Sequence, residues 1–455
     1  MKEKIIVGLI FFLSCSSEKT KIIFYDFYHF EESKNADFPT LCVSAHTDIF
    51  SDYQKELDVI YDLGFKIVRR DFIWREIEPN EGKYDENVVE KYDRFVFELR
   101  KRDIEPLYLL VFGNYWASEE SKKCFQECKN QNCSYCDKFS PDPSKFANFA
   151  KFVVQRFSAR YIEVWNEPNW IFFMNPVSPE KYAMILSETY KTVKSSDLKV
   201  IFGGLLSADV QLPKVYFIKP DEFLSSYNFE EFFDAVAIHP YIGKRLVSYP
   251  PTLPPEDSNN SYASLPAIIS SIRGITKKDI WITEMGWPTY SDGISQFSHA
   301  IYIVRAIFLS AIMGIKTFCV YELVDSFWNL IHPAESHFGI VNSDYSPKIA
   351  YYSLKNLSKF RNRKYIGSVK VESEIQDIIV FSPLFQGDQG SSIVLWAVSS
   401  QGNDLDKKIK AKLFIPSELV ILISDVFGNF LPHIGAKDHV TIDVDSVPII
   451  IDVKF

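Results

Sequence analysis

Short apolar runs alternate with longer amphipathic segments through most of the chain. Eight runs are fit for buried strands: "FPTLCVSAH" (38–46), "FKIVRRDFIW" (65–74), "EPLYLLVFGN" (105–114), "RYIEVWNEP" (160–168), "KVIFGGL" (199–205), "DAVAIHPY" (234–241), "IWITEMGW" (280–287) and "TFCVYELVD" (317–325). Segments of helical period lie between them. In "SPEKYAMILSETYKTV", Ser178 is placed to cap, Pro179 suits the first helical position, and Tyr182, Ile185, Leu186 and Tyr190 share one face. Strands and helices in alternation are the pattern of parallel βα units. Eight such units predict an α/β fold, a (β/α)8 TIM barrel, over residues 36–360.

The pattern changes near residue 364. Short alternating runs follow, among them "DIIVFSP", "SSIVLWAVS", "KIKAKLFI", "VTIDVD" and "VPIIIDVKF", separated by turns such as Gln386-Gly387-Asp388 and Gln401-Gly402-Asn403-Asp404. A period of two with frequent turns predicts a small antiparallel β-sandwich over residues 365–455.

Composition sharpens this only in places. A chain of 455 residues that is 47% hydrophobic can bury the core of a large barrel and an appended domain. Aromatic residues make up 15%, which leaves rings to line a cleft after the core is filled. The net charge of −9 argues against nucleic acid as a partner.

Six of the seven cysteines lie within the two domains. Cys124, Cys128, Cys133 and Cys136 are clustered after the third run, where they can form disulfides in one of three pairings, bind zinc, or remain thiols. Cys42 and Cys319 lie in apolar runs and are expected as unpaired core residues. At the N-terminus, Lys2 and Lys4 precede an apolar run (5–13) too short to span a bilayer. With Cys15 immediately after it, this segment (1–15) resembles a bacterial lipoprotein signal. The resemblance implies export, lipidation at Cys15, and contact with the membrane through that anchor alone. Export favours the disulfide reading of the cluster.

Two of the eight runs end in a glutamate: the fourth at Glu167 and the seventh at Glu284. In a barrel of this kind, functional groups gather where the strands end, and these two walls face each other across the mouth. Two carboxyls so placed suit glycoside hydrolysis, in which one attacks the anomeric carbon and the other protonates the departing oxygen. Arg69 is expected to keep Glu284 ionised, while burial and a neighbouring anion raise the pKa of Glu167 and make it the acid. Glu163 shares a face with Glu167 and reads as a buried ion-pair partner. Tyr241 is placed to hydrogen-bond the nucleophile and Asn166 a sugar hydroxyl. Trp116, Trp170, Trp287 and Trp328 fall in loops after strands, where rings can stack on sugars. Glu322 and Asp325, at the end of the eighth run, are rivals for the nucleophile. Either glutamate motif alone is an ordinary strand end; their order on the fourth and seventh runs carries the weight.

"VWNEPN" and "WITEMGWPT", with "VRRDFIWREIEP" before and "AIHPY" between, resemble the clan A glycoside hydrolases. Family 39 and the related bacterial exopolysaccharide-cleaving enzymes are most similar, through "EPNEGKYD", "SPDPSKFANFAKFVVQRF", "FGIVNSDYSPKIAYYSL" and "SDVFGN". The resemblance implies hydrolysis of a polysaccharide or glycan with retained configuration and no metal or other cofactor. It makes Glu167 the acid/base, Glu284 the nucleophile and Asn166 the ligand of the 2-hydroxyl, with Arg69, His239 and Tyr241 around them. Relatives carry a tryptophan near the end of the eighth strand, and Val320 is expected in its place. The alternatives are an exo-acting enzyme of β-xylosidase or iduronidase type, and a carbohydrate-binding protein that kept the barrel without turnover.

Overall fold

The expected barrel is closed. The computed structural model describes residues 24–25, 30–46, 49, 53–128, 133–207, 212–243, 251–257, 264–326 and 333–454. Its barrel strands are β1 (Thr40–Ser44), β2 (Ile67–Ile73), β3 (Glu105–Val111), β4 (Tyr161–Asn166), β5 (Lys199–Ser207), β6 (Ala235–Pro240), β7 (Asp279–Met285) and β8 (Thr317–Val320). Each pairs in parallel with the next, and β8 returns to pair with β1. The eighth apolar run is the one most shortened, its strand ending at Val320. The helix Pro179–Val193 has the cap expected of it, Ser178 Oγ accepting from the Lys181 N–H at 3.2 Å, with Tyr182, Ile185 and Leu186 buried. No helix among the described residues is long and apolar enough to cross a membrane.

The inside of the barrel is built in layers. Cys42, Ile67, Leu107, Ala237, Trp281 and Cys319 form an apolar plug at its lower end. Side chains on a strand alternate between faces, so two residues further along the same inner face come Ser44, Arg69, His239 and Thr283. All four are buried. An apolar layer thus carries a polar one, at the end where active sites of this architecture form.

The plug corrects one expectation. Cys42 and Cys319 are not unpaired: they lie opposite each other in the β1–β8 register and form a disulfide. Register placed them side by side, and no feature of either apolar run could have announced it. The bond ties the first barrel strand to the last across 277 residues of chain.

Beyond the barrel, a seven-stranded antiparallel sheet faces a four-stranded one, as the alternating runs predict. Leu395, Ile442, Ile449 and Ile451 are among the residues packed between them. The chain before the barrel also contributes, since Phe24–Tyr25 pairs with Ser368 and Val369 at one edge. The larger sheet packs on the barrel through rings of Phe38, Phe308, Phe360 and Phe385. Arg305 reaches across to Glu256 and Asp404, and Trp396 donates to Glu256 at 2.9 Å. The sandwich is therefore locked to the barrel by apolar contact and a buried ionic cluster.

The cysteine cluster forms a stapled lobe after β3. Cys124 pairs with Cys136 and Cys128 with Cys133. The lobe docks through Asp137, whose carboxylate pairs with Arg75 and whose carbonyl accepts from the Gly113 N–H at 2.7 Å.

Candidate active site

Two irregularities of backbone bring the carboxyls into the mouth. On β7, alternation would leave Thr283 inside and turn Glu284 outward. The β7–β8 register shifts between Ile282 and Met285, which turns Glu284 inward as well. At the end of β4, Trp165 and, just past the strand, Glu167 adopt positive φ values of 74° and 41°. Side chains other than glycine rarely tolerate this region, at a cost of about 1–3 kcal/mol each, and such strain concentrates at functional sites. Pro168 lies immediately beyond and cannot continue the ladder.

Arg69 sits at the centre. Its Nη1 pairs with Glu284 Oε1, and its Nε and Nη2 hold Glu163 at 2.7 and 3.1 Å. Nη2 also donates to Asn166 Oδ1 at 2.8 Å. A guanidinium only donates, so this bond fixes the amide of Asn166 with its oxygen toward Arg69 and its NH2 on the far side. Burial alone would lower the pKa of Arg69, but the charges of Glu163 and Glu284 outweigh it and raise the value further. Glu163 is thus the buried ion-pair partner its position on β4 implied.

The two candidate carboxyls have different surroundings. Glu284 is held by Arg69 and by the Tyr241 hydroxyl, which donates to Oε2 at 2.9 Å. Glu167 has no cation bonded to it among the described residues; its Oε1 lies 2.8 Å from His239 Nδ1. Burial, then the nearby charge of Glu284, raises the Glu167 pKa well above the usual carboxylate range. Burial followed by the charge of Arg69 pushes His239 far down, so its ring is neutral. Carboxylate oxygens of Glu167 and Glu284 lie within 4.8 Å of each other and of a His239 ring nitrogen. Such a spacing could also suit a cation, but Arg69 already supplies the positive charge here and would repel a second one.

The rivals are occupied elsewhere. Glu322 lies 2.8 Å from His46 Nδ1, and Asp325 pairs with Lys348 at 2.6 Å. The tryptophans divide. Trp287 is a correction: it is 0% exposed, its N–H is given to the Leu253 carbonyl, and it has no surface to offer a sugar. Trp170 is 8% exposed and packs against Phe217, while its neighbour Phe172 is 67% exposed. Trp116 leans edge-on against Trp74 and donates to the Glu78 carbonyl. Trp328 and Cys15 lie outside the described residues.

Val320 is the last residue of β8. Its side chain is fully buried, and the ring at the end of β8 belongs to the next residue, Tyr321, 6.2 Å from Tyr241 and 5.2 Å from Phe338. Sequence reasoning also missed Thr283, which donates to Glu163 and lies 3.0 Å from His239 Nε2. Gly204 carries its own signal in hindsight, since a Cβ there would sit 2.0 Å from His239 Nε2. The second glycine of "FGG" is what lets the imidazole lie against β5.

The sequence matches no family profile and no curated protein. Solved structures do resemble it. A family 39 glycoside hydrolase from the gut symbiont Bacteroides cellulosilyticus WH2 matches with a TM-score of 0.67 at 19% identity, over 92% of this chain and 81% of that one. A monomeric beta-xylosidase from Caulobacter crescentus CB15 gives 0.56 at 13% identity, over 93% and 97%. The family 30 subfamily 8 xylanase Xyn30A from Clostridium acetobutylicum gives 0.57 at 14% identity, over 92% and 97%. The fold, barrel and sandwich together, is the one these hydrolases share.

Proposed function

We propose that the protein is a glycoside hydrolase that cleaves a polysaccharide or glycan with retention of anomeric configuration. The observation that carries this reading is the approach of Glu167 and Glu284, whose carboxylate oxygens lie within 4.8 Å. Retaining enzymes hold their two carboxyl groups about 5–5.5 Å apart, while inverting enzymes need roughly 6.5–9.5 Å to admit a water. In this reading Glu284, ionised against Arg69 and steadied by Tyr241, attacks the anomeric carbon. Glu167, kept protonated by burial, gives its proton to the leaving oxygen and later takes one from water. The Asn166 amide donates to the sugar beside the nucleophile. Likeness to a beta-xylosidase and a xylanase supports β-xylosides as the first substrates to try.

Trapping tests the reading directly. A panel of 2-deoxy-2-fluoro xylosyl, glucosyl and galactosyl fluorides should include one that inactivates the protein and adds its sugar to Glu284. Peptide mapping that finds the adduct on Glu322 or Asp325 would overturn the assignment. No adduct from any of them counts against a covalent intermediate.

Export and lipid anchoring through Cys15 belong to the same proposal. The three disulfides support an oxidising compartment. Cys15→Ala should move the protein from the membrane fraction to the soluble one. A variant that still sediments with membranes argues against the anchor.

A further inference from the structure

Four buried groups on three strands form one hydrogen-bonded line: Glu163 on β4, Thr283 on β7, His239 on β6 and Glu167 just past β4. The direction of each bond can be worked out from its beginning. Glu163 receives two bonds from Arg69 and one from the Gly204 N–H at 2.9 Å, and Oε1, which takes two of the three, acts there as an acceptor. The Thr283 hydroxyl, 3.2 Å from Glu163 Oε1, therefore spends its single proton there. It is left with lone pairs toward His239 Nε2, 3.0 Å away, so Nε2 must carry a hydrogen. A neutral imidazole has only one, which leaves Nδ1 bare. Nδ1 lies 2.8 Å from Glu167 Oε1, and the only proton that can fill that gap belongs to Glu167.

We propose that Glu163 and Thr283 are positioning residues for the acid/base: they fix His239 as its Nε2–H tautomer, and the bare Nδ1 holds the proton on Glu167. This rests on Glu167 being the acid/base. The physical effect has two parts. A lone pair at 2.8 Å accepts from the carboxylic acid, and the same lone pair repels the carboxylate. Both favour the protonated form before substrate arrives.

Other charges act on the same carboxyl. Glu284 on β7, Glu163 on β4 and Glu335 beyond β8 favour the protonated form, and Arg69 on β2 opposes it. The Tyr241 hydroxyl, beyond β6, is committed to Glu284. Burial disfavours a charged His239, in keeping with a single ring proton. The Thr283 hydroxyl bonds to Glu163 and His239 and not to Glu167 or Glu284, so a change there acts on the relay.

The test needs no substrate. In protein with nitrogen-15 in its histidine rings, at neutral pH, the His239 signals should show a protonated Nε2 and an unprotonated Nδ1. An Nδ1–H tautomer would overturn the proposal outright. In protein labelled at the glutamate carboxyl carbons, the Glu167 signal is identified by its loss in Glu167→Gln, and its titration midpoint can be followed. Thr283→Val keeps the shape but removes the acceptor for Nε2–H, freeing the ring to turn its proton toward Glu167. The midpoint should fall by about one pH unit, tenfold in proton affinity. Thr283→Ser should leave it unchanged. An unmoved midpoint in Thr283→Val defeats the relay, and if that variant does not fold, the ring spectrum of the unaltered protein still decides. Failure of the relay leaves the hydrolase reading intact, because that reading is judged on trapping and turnover instead.

Discussion

Glu167→Ala should lose roughly 10²–10⁴-fold in kcat/KM on glycosides with unactivated leaving groups, the usual worth of general acid–base help. Its first step on an aryl glycoside with an acidic phenol should survive, because such a leaving group needs no proton. The intermediate then accumulates, since no base activates water. Added azide needs no base, so it should restore turnover and give a glycosyl azide of retained configuration. Glu284→Ala, which lacks the group that forms the intermediate, should show no rescue with retention. An inverted azide from the Glu167 variant would mean that the roles are exchanged. If neither variant changes the hydrolysis of any sugar that binds, the barrel is a binding protein and the proposal fails. The pH profile supplies a second reading of the same residue. Glu167 must be protonated to act on unactivated substrates, and its pKa is raised. Activity should therefore persist above the ordinary carboxylate range and fall as pH rises through the raised value. That limb should be absent from Glu167→Ala.

Removing the disulfide between β1 and β8 should have the largest effect on stability. Closing a loop of 277 residues restricts the unfolded chain, which in the chain-entropy account stabilises the fold by about 5 kcal/mol. The double variant Cys42→Ala/Cys319→Ala should unfold about 5–15 °C below the parent in buffer without reductant, at the roughly one to three degrees per kcal/mol expected of a domain this large. Unfolded and refolded with reductant present, parent and variant should converge except for the small loss of buried sulfur. Equal midpoints without reductant would show that the bond adds nothing. The site should be little altered in the folded variant, because the pair lies in the apolar plug, below the layer that holds Arg69 and His239.

The alternation of apolar runs was enough to identify the barrel, and the change of period near residue 364 was enough to place the sandwich. Burial of a strand face or a helix stripe is a local demand, written into residue order. Much of the site was legible for the same reason. Arg69, Glu163 and His239 are inward positions on strands whose period can be counted, and a strand ending in Asn166-Glu167-Pro168 marks its own mouth. Tertiary structure decided the rest, where period two fails or where two distant strands meet. Glu284 faces the cleft because the β7–β8 register shifts beside it; by alternation it would point away. Tyr321, immediately after the last residue of β8, packs its ring against Tyr241 and Phe338, a contact set by how the strand ends meet. Trp287 looked available in a loop and is fully covered, which only the packing of the surrounding chain could determine. Cys42 and Cys319 read alike as core cysteines, and only closure of the barrel placed them side by side. Residue order sets which face a side chain prefers. Which partner it meets there depends on register and closure, and those are fixed by the whole chain at once.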